Sequence, residues 1–128
     1  MNETFKKILF LGIGGFIGSN ARYWITRLVT LIGGKSFPAG TLTVNIIGCF
    51  FLGFLSGHAS GWNLPSNVKL LLGTGLLGAL TTFSTFSVET LVLFQKSTPF
   101  SAGLNLLLNI IVGLSAAAFG LFLAQKHI

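Results

Sequence analysis

The chain has 128 residues, of which 52% are apolar and 8% charged, with 17 glycines and 13 phenylalanines. An average soluble domain carries roughly 25% charged residues, so this composition excludes a water-soluble globule and leaves one small membrane domain over residues 1–128. The net charge of +6 does not point to nucleic acid, because the basic residues stand singly apart from Lys6-Lys7, as interfacial side chains do when they snorkel to lipid phosphates.

The first hydrophobic stretch predicts a helix over about 5–31. Lys6-Lys7 opens it, and Arg22 and Arg27 put its second half near an interface. Gly14 and Gly18 form a small-residue packing stripe on one face. Lys6-Lys7, the apolar run and Ser19-Asn20-Ala21 also have the outline of a signal peptide, but three further apolar stretches follow and favour a retained first helix. Gly33-Gly34-Lys35-Ser36-Phe37-Pro38 reads as a turn. The second helix is expected over about 38–60, in a segment free of charge from Ser36 to Val68, and Ser60 to Ser66 closes it. Thr41, Asn45, Cys49 and Gly53 recur at spacing four and share a face, which Gly57 and Gly61 continue. Asn45 can donate hydrogen bonds to an anion or to a neighbouring helix; both readings stand. Cys49 is the only cysteine, so it forms no intrachain disulfide.

The third helix is expected over about 65–95. It contains Gly78-Ala79-Leu80-Thr81-Thr82-Phe83-Ser84-Thr85-Phe86-Ser87, with five hydroxyls in seven residues. That run favours a local break, which frees backbone carbonyls for a cation. Phe83 and Phe86 lie three apart. Their positive ring edges would attract a small anion without trapping it, whereas the bland alternative is packing against core or lipid. Glu89 falls four residues after Thr85 and seven after Thr82, on their stripe. Lys96-Ser97-Thr98-Pro99 is the next turn, and the fourth helix is expected over about 98–126 with Asn105, Asn109 and Gly113 on one face. Polar groups inside such spans are costly and are functional candidates. The fold class is therefore an all-α membrane protein with four transmembrane helices and a break in the third.

With four crossings, Lys6, Lys7, Lys69 and Lys126 lie on one side and Arg22, Arg27, Lys35 and Lys96 on the other. Equal counts give no orientation by the positive-inside rule. A chain without bias inserts both ways, which predicts an antiparallel homodimer related by a two-fold axis in the membrane plane. Gly73 to Gly78 matches a dinucleotide-binding glycine pattern, but no strand precedes it and no acidic residue follows at the required distance. Gly34-Lys35-Ser36 resembles the end of a phosphate-binding loop, yet Val29 stands where the first glycine belongs. His58 and His127 have no paired acid, and no catalytic triad or organic cofactor site is expected.

Gly14-Gly15-Phe16-Ile17-Gly18-Ser19-Asn20-Ala21-Arg22-Tyr23, then Gly40-Thr41-Leu42-Thr43-Val44-Asn45-Ile46-Ile47-Gly48, then Gly75 to Ser87 with Glu89 following, occur in order on three helices. Together these motifs resemble the Fluc (CrcB) fluoride channels over nearly the whole chain. The resemblance implies a fluoride-exporting channel in a bacterial inner membrane, passive and not an enzyme, built as an antiparallel, dual-topology homodimer with two pores. It implies that Phe83 and Phe86 are pore phenylalanines, and that Asn45 is a polar pore residue with Thr41 one turn earlier. It places Arg22 at a vestibule and Thr82, Ser84, Thr85 and Glu89 in a hydroxyl-rich track. It also implies a structural sodium ion held by the Gly78 and Thr81 carbonyls of both copies. The family often shows a tyrosine and serines on the fourth helix where this chain has Asn105, Asn109 and Gly113; by that spacing Asn109 joins the pore. Two other classes compete: a proton-coupled exporter, which would need Glu89 as its titrating carboxylate, and a non-transporting membrane scaffold.

Overall fold

The computed structural model describes residues 2–58 and 64–126, with the backbone alone at His58. The turn residues 60–63, Gly61 of the glycine stripe and His127 lie outside the described residues. Among the described residues every regular element is helical and no strand occurs, as backbone in lipid requires: each N–H and C=O must find its partner within the chain.

Helix α1 spans Glu3–Gly33. Asn2 caps it, its side-chain oxygen accepting from the Thr4 N–H at 3.1 Å. Gly34 ends it with φ +84°, a left-handed conformation that glycine adopts without Cβ strain, and its N–H returns to the Thr30 carbonyl. Helix α2 spans Ala39–His58. Helix α3 covers 66–80 and changes pitch twice: Ser66–Lys69 is α-helical, Leu70–Leu77 is π-helical and Gly78–Leu80 is α-helical again. Thr81 and Thr82 are extended (φ/ψ −80/155° and −151/112°), and helix α4 restarts at Phe83 and runs to Lys96. Helix α5 runs over Pro99–Gln125 with a π-helical stretch at Leu108–Val112. Thr98 caps it, accepting from the Ser101 N–H at 3.1 Å, and Pro99 occupies the first turn where no N–H is needed.

Among the described residues three helical runs are long and apolar enough to cross a bilayer: Ala39–Gly57, Ser66–Lys96 and Pro99–Gln125. Helix α1, at 31 residues, has the length but not the apolarity. Arg22 and Arg27, with Ser19 and Asn20, lower the apolarity of its second half. Of the four expected spans, three therefore meet this measure, and the first is the least apolar of the four.

Glycine sets the helix contacts. Helix α1 lies along α3, and a Cβ at Gly14 or Gly18 would run into the carbonyl oxygens of Leu71 and Leu76. Helix α2 lies along the second half of α5, where a Cβ at Gly53 would meet the Ala117 carbonyl and one at Gly120 the Phe50 carbonyl. Backbone meets backbone at both seams, which is how helices gain dispersion energy where lipid supplies no hydrophobic drive. Helix α4 packs instead on the first part of α5. The apolar core is small: Val44, Leu77 and Leu80, with Ala21, Ile25 and Ile47 against them. Large apolar side chains such as Phe16, Ile32 and Phe100 point outward, which suits a lipid solvent.

Gly18→Ala and Gly120→Ala should each destabilise the detergent-solubilised protein by about 1–3 kcal/mol, the usual cost of overpacking. Gly103→Ala, where nothing lies within 4 Å of the added carbon, should be tolerated; thermal unfolding of the three variants checks this.

Candidate functional site

The site forms where α3 stops. Consecutive threonines at 81 and 82 favour extended backbone through their branched Cβ, and Thr82 then caps α4. Its Oγ1 accepts from the Thr85 N–H at 3.1 Å and its hydroxyl donates to Thr85 Oγ1 at 3.0 Å, with Ser84 Oγ 3.3 Å away. Extended backbone within a span would strand its polar groups, but Asn45 of α2 reaches across. Its Oδ1 accepts from the Thr82 N–H at 2.8 Å and its Nδ2 donates to the Thr82 carbonyl at 3.2 Å. One carboxamide thus matches the N–H and the C=O of one extended residue, as a residue of a neighbouring strand would.

The Asn45 amide continues into α5. Its Nδ2 also donates to Asn109 Oδ1 at 2.9 Å, and Asn109 Nδ2 donates to Asn105 O and Oδ1 at 3.0 and 3.1 Å. Asn105 Nδ2 donates to Thr90 Oγ1 at 2.8 Å, and the Thr90 hydroxyl donates to the Phe86 carbonyl at 2.8 Å. Both Asn45 N–H protons are therefore committed to protein acceptors. Of the two sequence readings of Asn45, the structure displays the helix-to-helix one.

Thr82 lines two cavities. The larger, about 380 Å³, is lined by Arg22, Tyr23 and Arg27 of α1 together with Thr41, Thr85 and Glu89. Thr41 donates to Glu89 Oε1 at 2.8 Å, while Glu89 Oε2 is buried with no partner among the described residues. Arg22 Nη1 makes a long contact of 3.5 Å to the Thr81 carbonyl. The smaller cavity, about 230 Å³, is lined by Asn45, Cys49, Phe83, Phe86, Asn109 and Ile110. The Phe83 and Phe86 rings meet edge to face, centroids 5.6 Å apart at 62°. Phe86 is 5% exposed and Phe83 79% exposed, so the pair runs from the interior of the chain to its surface.

The residues singled out in the sequence fall into this frame as follows. Arg22, Thr41, Thr85 and Glu89 share the larger cavity, Asn45, Phe83, Phe86 and Asn109 the smaller, and Thr82 lines both. Ser84 lines neither and is exposed beside Phe83. The Thr82 N–H, which would continue the helical ladder to the Gly78 carbonyl, goes to Asn45 instead, so that carbonyl loses its helical partner. Sequence reasoning gave no role to Asn105, Thr90 or Tyr23. Only the four-residue spacing of Asn105 and Asn109 hinted at the first.

The family described as CrcB-like protein, Camphor Resistance (CrcB) matches residues 9–121. The chain belongs to the CrcB family. Members with curated names include the fluoride-specific ion channel FluC of Vibrio cholerae serotype O1, 40% identical over 124 residues, 96% of this chain and 98% of that protein. FluC of Methanocaldococcus jannaschii is 46% identical over 119 residues, 93% of this chain and 94% of that protein. FluC of Oceanobacillus iheyensis is 44% identical over 120 residues, 93% and 92% of the respective chains. Membership of this CrcB family makes the chain an ion-channel homologue and not an enzyme.

Asn45→Leu removes both partners of the Thr82 peptide and one from Asn109, each loss costing about 1–3 kcal/mol when the group stays buried. This variant should unfold in detergent at a clearly lower temperature than Cys49→Ala, one turn along the same face.

Proposed function

We propose that the protein is a fluoride-selective channel that lets cytoplasmic fluoride leave the cell by passive electrodiffusion and so protects against fluoride toxicity. The observation that carries the reading is the pair of cavities that share Thr82 in their walls. One has arginines at its wall, and the other has phenylalanine edges beside the Asn45 amide. Arg22 and Arg27 would draw an anion in from bulk water. No charged side chain lines the second cavity. There the positive ring edges of Phe83 and Phe86 would hold a small anion weakly enough to release it. Fluoride is compact and strongly hydrated, so the narrow path must replace its water with hydroxyl and ring-edge partners, and chloride fits that set poorly. The driving force is the membrane potential, worth roughly 2.3 kcal/mol per elementary charge per 100 mV. The names of the curated relatives, fluoride-specific ion channels, support the same ion.

In this reading the chain crosses a bacterial inner membrane four times and works as two copies in opposite orientations. Balanced flanking charge supports the dual topology. So does the exposure of Gly78, Phe83, Ser84 and Thr85 on a single chain: hydroxyls and a broken helix are costly against lipid, and a second copy would cover them. A sodium ion between the copies fits the donors. The Gly78 carbonyl has given up its ladder partner, and among the described residues the Thr81 carbonyl has the long Arg22 contact alone. Neutral carbonyl oxygens suit a hard cation, and two copies together offer four. When bound, the ion supplies a cross-link between the two broken helices.

The test is efflux from liposomes holding the purified protein, followed with fluoride and chloride electrodes. Rapid fluoride release without chloride is expected, cut at least roughly tenfold by Phe83→Ile, or about 1.4 kcal/mol. Fluoride release should persist in Glu89→Gln without a proton gradient, which a proton-coupled exporter could not do. Absence of fluoride release from folded, dimeric protein would sink the channel reading.

A further inference from the structure

Asn105 lines neither cavity, yet at 1% exposure it is the most deeply buried polar side chain of the described residues. An asparagine in that position costs free energy in a span unless its groups are used. We infer that Asn105 is a positioning residue: with Asn109 it forms a one-way amide relay that fixes the Asn45 carboxamide on Thr82 and ties that grip to the Phe86 turn. The inference deepens the channel reading and rests on it for its functional consequence.

The direction of the relay is set by backbone groups, which have only one sense. The Thr82 N–H can only donate, so Asn45 turns Oδ1 to it and Nδ2 to the Thr82 carbonyl. The Asn105 carbonyl can only accept, so Asn109 turns Nδ2 to it and Oδ1 to Asn45. These orientations, fixed independently from opposite ends, agree at the 2.9 Å bond between Asn45 and Asn109. Agreement of this kind is the proper basis for assigning amide flips. Asn105 Oδ1 takes the second Asn109 proton, which leaves its Nδ2 for Thr90, and the Thr90 hydroxyl then donates to the Phe86 carbonyl. The relay leaves α4 at its cap, crosses α2 and α5, and returns to α4 one turn later, under the buried ring of the pair. Without Asn105, the Asn109 amide keeps one acceptor of two, and the Thr90 hydroxyl loses its donor. Asn109 can then rotate, and the Asn45 grip on Thr82 loosens.

A filler role makes the opposite prediction, since Asn105→Leu keeps the volume and removes a costly polar group. Three readouts on reconstituted protein separate the two: fluoride efflux, hydrogen exchange at the Thr82 amide, and the coupling between Asn105→Leu and Thr90→Val. The relay predicts that Asn105→Leu lowers fluoride efflux by tenfold or more and speeds Thr82 exchange by a similar factor. Thr90→Val should do less, and the double variant no more than Asn105→Leu alone, because both act on one chain of bonds. Wild-type efflux and wild-type Thr82 exchange in folded Asn105→Leu would overturn the inference, as would fully additive losses in the double variant. If Asn105→Leu does not fold, Thr90→Val decides by the same exchange measurement. Should the unaltered protein release no fluoride, the channel reading fails while Thr82 exchange still judges the relay.

Discussion

The hydrogen bonds between the Asn45 carboxamide and the Thr82 peptide are what allow this chain to interrupt a helix inside a membrane. Backbone that leaves the helical ladder in hydrocarbon has no water to turn to, and a bond to another helix is its remaining recourse. Asn45 supplies one donor and one acceptor to the C=O and the N–H of the same extended residue, so both groups are met by a single side chain. Every other feature of the site follows from the break it stabilises. Thr82 becomes a cap, Gly78 loses its ladder partner, and the Phe83–Phe86 pair starts a new helix instead of continuing an old one.

The glycine seams provide the rigid frame that puts Asn45 in range. Gly53 and Gly120 bring α2 and α5 to backbone contact, and Gly14 and Gly18 do the same for α1 and α3. Gly48, one turn past Val44, sits against the Thr81 methyl, where any side chain would collide. Small residues therefore serve the site at a distance: they fix interaxial spacing to within the tolerance of a hydrogen bond. The contact of α4 on the start of α5 relies on side chains, and there the asparagines and Thr90 take the place of glycine.

Much of this is legible in the sequence, and the limits are physical. Helical structure throughout follows from apolarity and the absence of water. The start of α5 is marked by Thr98-Pro99 because the hydroxyl caps and the ring needs no N–H. The five hydroxyls after Leu80 mark the place where local propensity and local hydrogen bonds compete with the helix. What the sequence does not carry is the partner of each polar group. Whether Asn45 meets an ion, a lipid or Thr82 depends on the axial offset of α2 against α3, which is set by packing along the whole seam. The role of Asn105 is hidden for the same reason, since it requires three helices in register. The π-helical stretches at Leu70–Leu77 and Leu108–Val112 have no sequence signature that we can name. The lower apolarity of α1 is open to simple counting, because Arg22 and Arg27 interrupt it.

A helix cut in its middle has four ends instead of two. At Thr81–Thr82 the carbonyl end of one segment and the amide end of the next lie within a few residues of each other. The peptide dipoles give the first end a fractional negative charge and the second a fractional positive one. In a low-dielectric surround neither is screened as it would be in water. The chain thereby carries, at one point and without any ionisable side chain, attraction for ions of both signs, aimed in opposite directions. Such polarity belongs to the backbone itself, so it cannot be titrated away, and side-chain substitution abolishes it only by closing the break.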